Sequence, residues 1–173
     1  LLRDRDIDQA TKIHQTIIVR PKLSNDLKIQ IHQALGLDYL ELGNTVRAED
    51  EFKKMLEIDA KNKWSLGMLK NIATDNKSWN DALEYEKKLI KYYPEIKKRD
   101  ESKLNYFVAM DYKDKKNEKN YLYYLNKSIQ GDHIHSESYL ELSSHHIDNT
   151  DLACLLYTSD AADDTPCVDL GGR

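Results

Sequence analysis

Cysteine is all but missing from this chain of 173 residues: Cys154 and Cys167 are the only two, and both fall in the last twenty residues. The first 153 residues therefore hold no disulfide framework and no thiolate zinc site. Proline is nearly as scarce, with three residues, so little interrupts a helix. Two phenylalanines against 32% charged residues imply a modest core spread along an elongated body. No stretch approaches the ~18 apolar residues of a membrane span, and Leu1-Leu2-Arg3-Asp4 is not the start of a signal peptide. Charge of one sign is lacking as well. The formal charge is −4, but Asp160, Asp163, Asp164 and Asp169 against Arg173 account for most of it, which leaves 26 acids and 25 bases up to Ala153. So neutral a body argues against a nucleic-acid partner, which would want a basic face.

Motifs that carry catalysis are absent too. There is no glycine-rich phosphate loop, no His-Glu-x-x-His pair and no Gly-x-Ser-x-Gly elbow, so the chain is expected not to be an enzyme and to hold no catalytic, cofactor-binding or metal-ligating residues. His133 with His135, and His145 with His146, have the wrong spacing to share one helix face. No cysteine near any of the six histidines completes a metal site. Solvated or half-packed histidines, His14 and His32 included, are the reading. The lysine runs at Lys87-Lys88, Lys97-Lys98 and Lys115-Lys116 alternate with Glu, Asp and Tyr, the pattern of a solvated face.

What the chain does have is an abundance of helix formers and a period. Lys, Glu and Leu dominate, which sets an all-α class. In the stretch from Ile29 to Asn62, Leu35-Gly36, Tyr39, Gly43, Ala48 and Phe52 have the types and spacing of a tetratricopeptide repeat, a helix-turn-helix of about 34 residues. Gly36 and Ala48 are small where the helices must approach closely, Leu35, Tyr39, Phe52 and Leu56 fill the seam, and Gly43-Asn44 marks the turn. Ala82 follows Ala48, and Pro94 follows Ala60, each by 34 residues, which places the next repeat over 63–96. Leu69, Ala73, Trp79 and Leu89 take its packing slots, with Lys70 where Gly36 stood. A charged linker about five residues longer than the period follows, then a degenerate repeat over 102–135. There Ala109, Tyr112 and Leu125 fit, but Tyr121 stands where alanine is expected, so that either the helices splay or Ala109 makes the room.

Upstream, Ala10, Ile13, Ile17 and Ile18 put an amphipathic helix over 8–19, with Leu1 and Leu2 ending a helix before it. Arg20-Pro21 closes that helix and Ser24 offers the next N-cap. Ala10 to Ala48 is 38 residues, so a short insertion sits in this linker. Residues 136–147 read as the first helix of a further repeat, with its turn at 148–150. The expected fold is thus an all-α tetratricopeptide-repeat solenoid of antiparallel helix pairs, cut at both ends, with partial repeats over 1–22 and 136–153. Cys154 to Arg173 breaks the period and turns rich in Asp, Ala and Gly. Read in one frame, TGT CTC TTA TAC ACA TCT GAC GCT GCC GAC gives Cys154 to Asp163, and GTA GAT CTC GGT GGT CGC gives Val168 to Arg173, so the segment resembles translated sequencing-adapter DNA. It is expected not to be native and is set aside.

A solenoid of this kind binds proteins through the groove lined by its first helices. By repeat position, the partner-facing residues are Gln30, Gln33, Leu37 and Glu41, then Trp64, Asn71 and Asp75, then Lys103, Tyr106 and Met110. Trp64 and Tyr106 are preferred hot-spot types, although Trp64 has a second reading as packing between repeats. Gln33 and Leu37 occupy positions where chaperone-associated repeats carry the Lys and Asn that hold a C-terminal carboxylate, which argues against a co-chaperone.

Three stretches narrow the family. Ile13-His14-Gln15-Thr16, Arg20-Pro21-Lys22-Leu23-Ser24, and Leu35-Gly36-Leu37-Asp38-Tyr39 with Arg47-Ala48-Glu49-Asp50-Glu51-Phe52 resemble the central repeats of the lipopolysaccharide assembly protein B family of gammaproteobacteria. The resemblance covers roughly residues 1–52 and thins beyond. It implies a non-enzymatic adaptor on the cytoplasmic face of the inner membrane, with an N-terminal membrane helix and a C-terminal rubredoxin-like zinc module. Its partners would be the membrane protease FtsH and the lipid A pathway enzyme that it helps degrade, the deacetylase of the committed step. Neither the membrane helix nor the zinc module has a counterpart in this sequence, so no cofactor and no metal ligand carries over. A generic repeat scaffold for another envelope or secretion assembly, or the repeat half of an enzyme, are the competing readings.

Overall fold

A computed structural model of the chain describes residues 2–95, 99–130 and 135–147. The adapter-like segment and the turn at 148–150 lie outside these residues. Seven helices follow in order: α1 Leu2–Ile18, α2 Asn25–Glu41, α3 Thr45–Ile58, α4 Lys63–Asp75, α5 Trp79–Tyr92, α6 Arg99–Asp114 and α7 Glu118–Ile129. Each packs on the next, most closely within the pairs α2–α3, α4–α5 and α6–α7. The fold is an all-α arrangement of antiparallel helix pairs of the tetratricopeptide type. A further helix over residues 136–147 belongs to a second compact unit. Within it, the Ser143 hydroxyl donates to the Tyr139 carbonyl at 2.8 Å.

The repeat is legible in the turns. Gly43, Lys77 and Lys116 all have positive φ, at 73°, 57° and 55°. At each, two backbone bonds close the preceding helix: Gly43 N–H donates to Leu40 O and Asn44 N–H to Tyr39 O, Lys77 to Thr74 and Ser78 to Ala73, Lys116 to Lys113 and Asn117 to Tyr112. This is a Schellman closure, which satisfies carbonyls that the helix end would otherwise orphan. The residue after it starts the next helix. The Asn44 and Asn117 side chains accept from Arg47 N–H and Asn120 N–H, each at 3.2 Å, while Ser78 makes no side-chain cap bond. One turn thus ends one helix and begins its partner, which fixes the phase of both.

Two extra segments are absorbed differently. The excess before the second repeat becomes one more turn at the start of α2, which begins at Asn25 with Ser24 as N-cap. The excess before α6 goes partly into an earlier start of that helix, at Arg99. One expectation is corrected. Leu2 to Ile18 is a single helix, not the end of one helix followed by another, because no Gly, Pro or Asn between Leu2 and Asp8 supplies a turn.

The core forms two clusters. The first gathers Leu35, Tyr39, Ala48, Phe52, Met55 and Leu69 across α2, α3 and α4, and the second gathers Ala82, Leu83, Leu104 and Val108 across α5 and α6. Tyr121 is buried despite its size, and α6 packs closely on α7. The helices of this pair therefore do not splay, and Ala109 on α6 has no exposed surface.

Candidate partner-binding groove

The pairing of helices decides which side chains can meet a partner. At the α2–α3 crossing, Gly36 lies against Phe52, and a Cβ built on Gly36 would stand 2.0 Å from the Phe52 ring. Phe52 has no exposed surface, so the glycine is a steric requirement. Thirty-four residues on, the same two positions hold Lys70 and Glu86. The Glu86 side chain is 1% exposed, and Lys70 Nζ lies 3.1 Å from its Oε2 and 3.0 Å from Asp100 Oδ2. The ammonium sits off the hydrogen-bonding line of Glu86, so neither carboxylate oxygen of Glu86 accepts a hydrogen bond from the protein. Burial accordingly pushes the Glu86 carboxyl above its ordinary value, against the pull of Lys70. Burial also opposes the charge on Lys70, but Asp100 and Glu86 outweigh it and hold the ammonium above its ordinary value. Among the described residues the pair is lopsided, because Lys70 has two carboxylates and Glu86 one misaligned cation.

Other polar bonds pin neighbouring helices. His14 Nδ1 lies 2.7 Å from Asp38 Oδ2, Gln15 donates to the Tyr39 hydroxyl at 2.7 Å, and His32 Nδ1 lies 2.6 Å from Glu51 Oε2. Burial works to raise the Glu51 carboxyl, but the bonds from His32 and Lys54 prevail and hold it below its ordinary value. Both histidines are therefore half-packed and bonded to a carboxylate on the adjacent helix.

Of the groove residues expected from repeat position, two come together. Asn71 on α4 and Lys103 on α6 line one cavity of about 310 Å³ between these helices. Its floor is Trp79 and Phe107, stacked with centroids 4.4 Å apart. Gln30, Leu37, Glu41 and Asp75 are exposed on α2 and α4 without lining it, and Gln33, Tyr106 and Met110 are half-buried. Trp64 is half-buried and meets Phe52 edge-on at 5.2 Å, which ties it to the seam between repeats.

Repeat position did not single out Lys70, Asp100 or Phe107 as cavity residues, and it placed Trp79 only in the seam. Two signals were in the sequence. Phe107 stands where the earlier repeats have Ala34 and Met68, and opposite charges replace the Gly36–Phe52 pair at the next repeat.

The chain is thus a helical-repeat protein whose first helices α2, α4 and α6 carry a shared exposed stripe. No family model matches it. Lipopolysaccharide assembly protein B of Escherichia coli strain K12 is 30% identical over 92 residues, covering 53% of this chain and 24% of its own length, and the same holds for that protein in Escherichia coli O157:H7. The chain spans about a quarter of the length of these curated relatives. A solved structure of a MamA RS-1 ArsTM double mutant has a TM-score of 0.47 and 16% identity, covering 91% of this chain and 88% of its own. Among the described residues no helix is long and apolar enough to cross a membrane.

Proposed function

We propose that this chain is the repeat region of a non-enzymatic adaptor that binds other proteins. In the whole protein it would regulate lipid A synthesis by bringing the committed-step deacetylase to the membrane protease FtsH at the cytoplasmic face of the inner membrane. One observation supports this reading above the others. Two of the stretches that carry the family resemblance, far apart in sequence, meet in space: His14 and Gln15 bond to Asp38 and Tyr39, Arg47 lies 5.6 Å over the Tyr39 ring, and Gly36 packs on Phe52. They form one interlocked unit, so their shared presence reflects a common packing rather than separate coincidences.

The partner would lie along α2, α4 and α6, whose exposed residues Gln30, Leu37, Glu41, Asn71, Asp75 and Lys103 recur at the same repeat positions. The test is a pull-down of the full-length natural protein with FtsH against a control with scrambled repeats. Enrichment over the control is expected. Equal recovery would favour a generic repeat scaffold. In the same assay, Glu41→Lys with Asp75→Lys should lower capture, and unchanged capture would sink the groove as the binding face.

A further inference from the structure

The cavity between α4 and α6 combines an aromatic floor with an unmatched charge on its rim. Trp79 and Phe107 stack to form the floor, and Lys103 Nζ lies 5.9 Å from the Phe107 centroid. Two of the three charges at the rim are already matched: Lys70 holds Asp100 at 3.0 Å. Lys103 is exposed and has no carboxylate within ion-pair distance among the described residues, and the exposed Asn71 amide has no hydrogen-bond partner among them. A volume of about 310 Å³ accommodates one large side chain with part of its backbone.

We propose that this cavity is the docking point for an acidic, apolar segment of a partner protein: a large apolar side chain seats on Trp79 and Phe107, a neighbouring carboxylate pairs with Lys103, and Asn71 holds the backbone between them. This rests on the adaptor reading only in taking the partner to be a protein. A cationic segment would leave Lys103 repelled. A charge-assisted hydrogen bond beside a desolvated aromatic anchor joins the two strongest kinds of interface contact.

Two tryptophans make the test direct, because Trp79 lines the cavity while Trp64 packs on Phe52 and reports any general change. The indole N–H signals of the full chain are followed by two-dimensional NMR during titration with acetyl-Gly-Glu-Phe-Gly-amide, and assigned with Trp64→Phe. The Trp79 signal should move saturably while that of Trp64 stays. The Gln analogue of the peptide should bind about tenfold more weakly, the loss of one charge-assisted hydrogen bond. Lys103→Glu should reverse the order, preferring a Lys analogue over the Glu peptide. An unmoved Trp79 signal, equal binding of the Glu and Gln peptides, or an unchanged preference in Lys103→Glu each overturns the proposal. If the peptide binds as stated but the full-length protein captures no FtsH, the adaptor reading fails alone. If FtsH is captured and Trp79 is indifferent to the peptide, the docking proposal fails alone.

Discussion

The α2–α3 and α4–α5 crossings use equivalent positions 34 residues apart and fill them in opposite ways. In the first, Gly36 admits the whole ring of Phe52, which has no exposed surface. In the second, Lys70 reaches across to a Glu86 that is as deeply buried and carries no good hydrogen bond. The difference teaches that a repeat dictates where two helices touch but not what fills the contact. Either member alone would fail in the other crossing. A lysine opposite Phe52 would meet the ring, and a glycine opposite Glu86 would leave a carboxylate without its cation. The pair changes together or not at all.

Removing one member of each pair should have the largest effect and break the comparison most sharply. Phe52→Ala is expected to cost about 3–5 kcal/mol as a cavity in the first core cluster. Lys70→Ala should cost about as much near neutral pH, by leaving Glu86 buried without a cation. The two part company on acidification. Burial already raises the Glu86 carboxyl above 4.5, and losing Lys70 raises it further, so the proton that enters Glu86 relieves the Lys70→Ala defect while Phe52→Ala is indifferent. Urea unfolding of both variants at about pH 5 and pH 7 measures this, and parallel behaviour would contradict it.

Next in size is Gly36→Ala, expected to cost about 1–3 kcal/mol because the new Cβ meets the Phe52 ring and must displace it. Thermal melts would show the loss, and it should shrink in a Phe52→Leu background. Smaller, and of opposite sign, is Lys77→Gly. Its left-handed backbone costs a lysine what it costs Gly43 nothing, so the substitution should stabilise by about 1 kcal/mol, while Gly43→Lys should destabilise by a similar amount.

The smallest effects are slopes. Because the folded Glu86 carboxyl lies above 4.5, its contribution to stability is full below that pH and lost as pH rises through the raised value. Glu51 behaves in the opposite way: its carboxyl is held low, so its contribution is present above 4.5 and lost as pH falls through the lowered value. Glu86→Gln should therefore flatten the stability profile above pH 4.5 and Glu51→Gln below it. Unfolding measured from pH 3 to pH 8 checks both signs.

Much of the fold was legible beforehand, because the repeat is written in small residues and turns. Ala48 and Ala82, 34 apart, both have no exposed surface, and Leu35, Tyr39, Leu69 and Ala73 are buried in their packing slots. The apolar stripe over 8–19 shows which face of α1 packs but not that the helix begins at Leu2, since such a stripe marks a face and not a helix start. The candidate groove was legible as a stripe of positions, but the cavity between α4 and α6 was not. Asn71 and Lys103 were on the stripe, whereas Trp79 reaches the cavity from the start of α5, and Asp100 and Phe107 from the same face of α6 as Lys103. Position within a repeat cannot show which helices diverge enough to leave space.

The sequence by itself determined the helix pairs, their turns and the near-neutral body, since these follow from local propensity, caps and a period of 34 residues. Only the tertiary structure decided that Lys70 faces Glu86 and Asp100, that His14 and His32 bond to carboxylates on neighbouring helices, and that a cavity opens between α4 and α6. The reason is physical. A helix forms from interactions three or four residues apart, but the partner of a buried charge and the space between two helices depend on residues many positions away, brought together by packing that no local window contains.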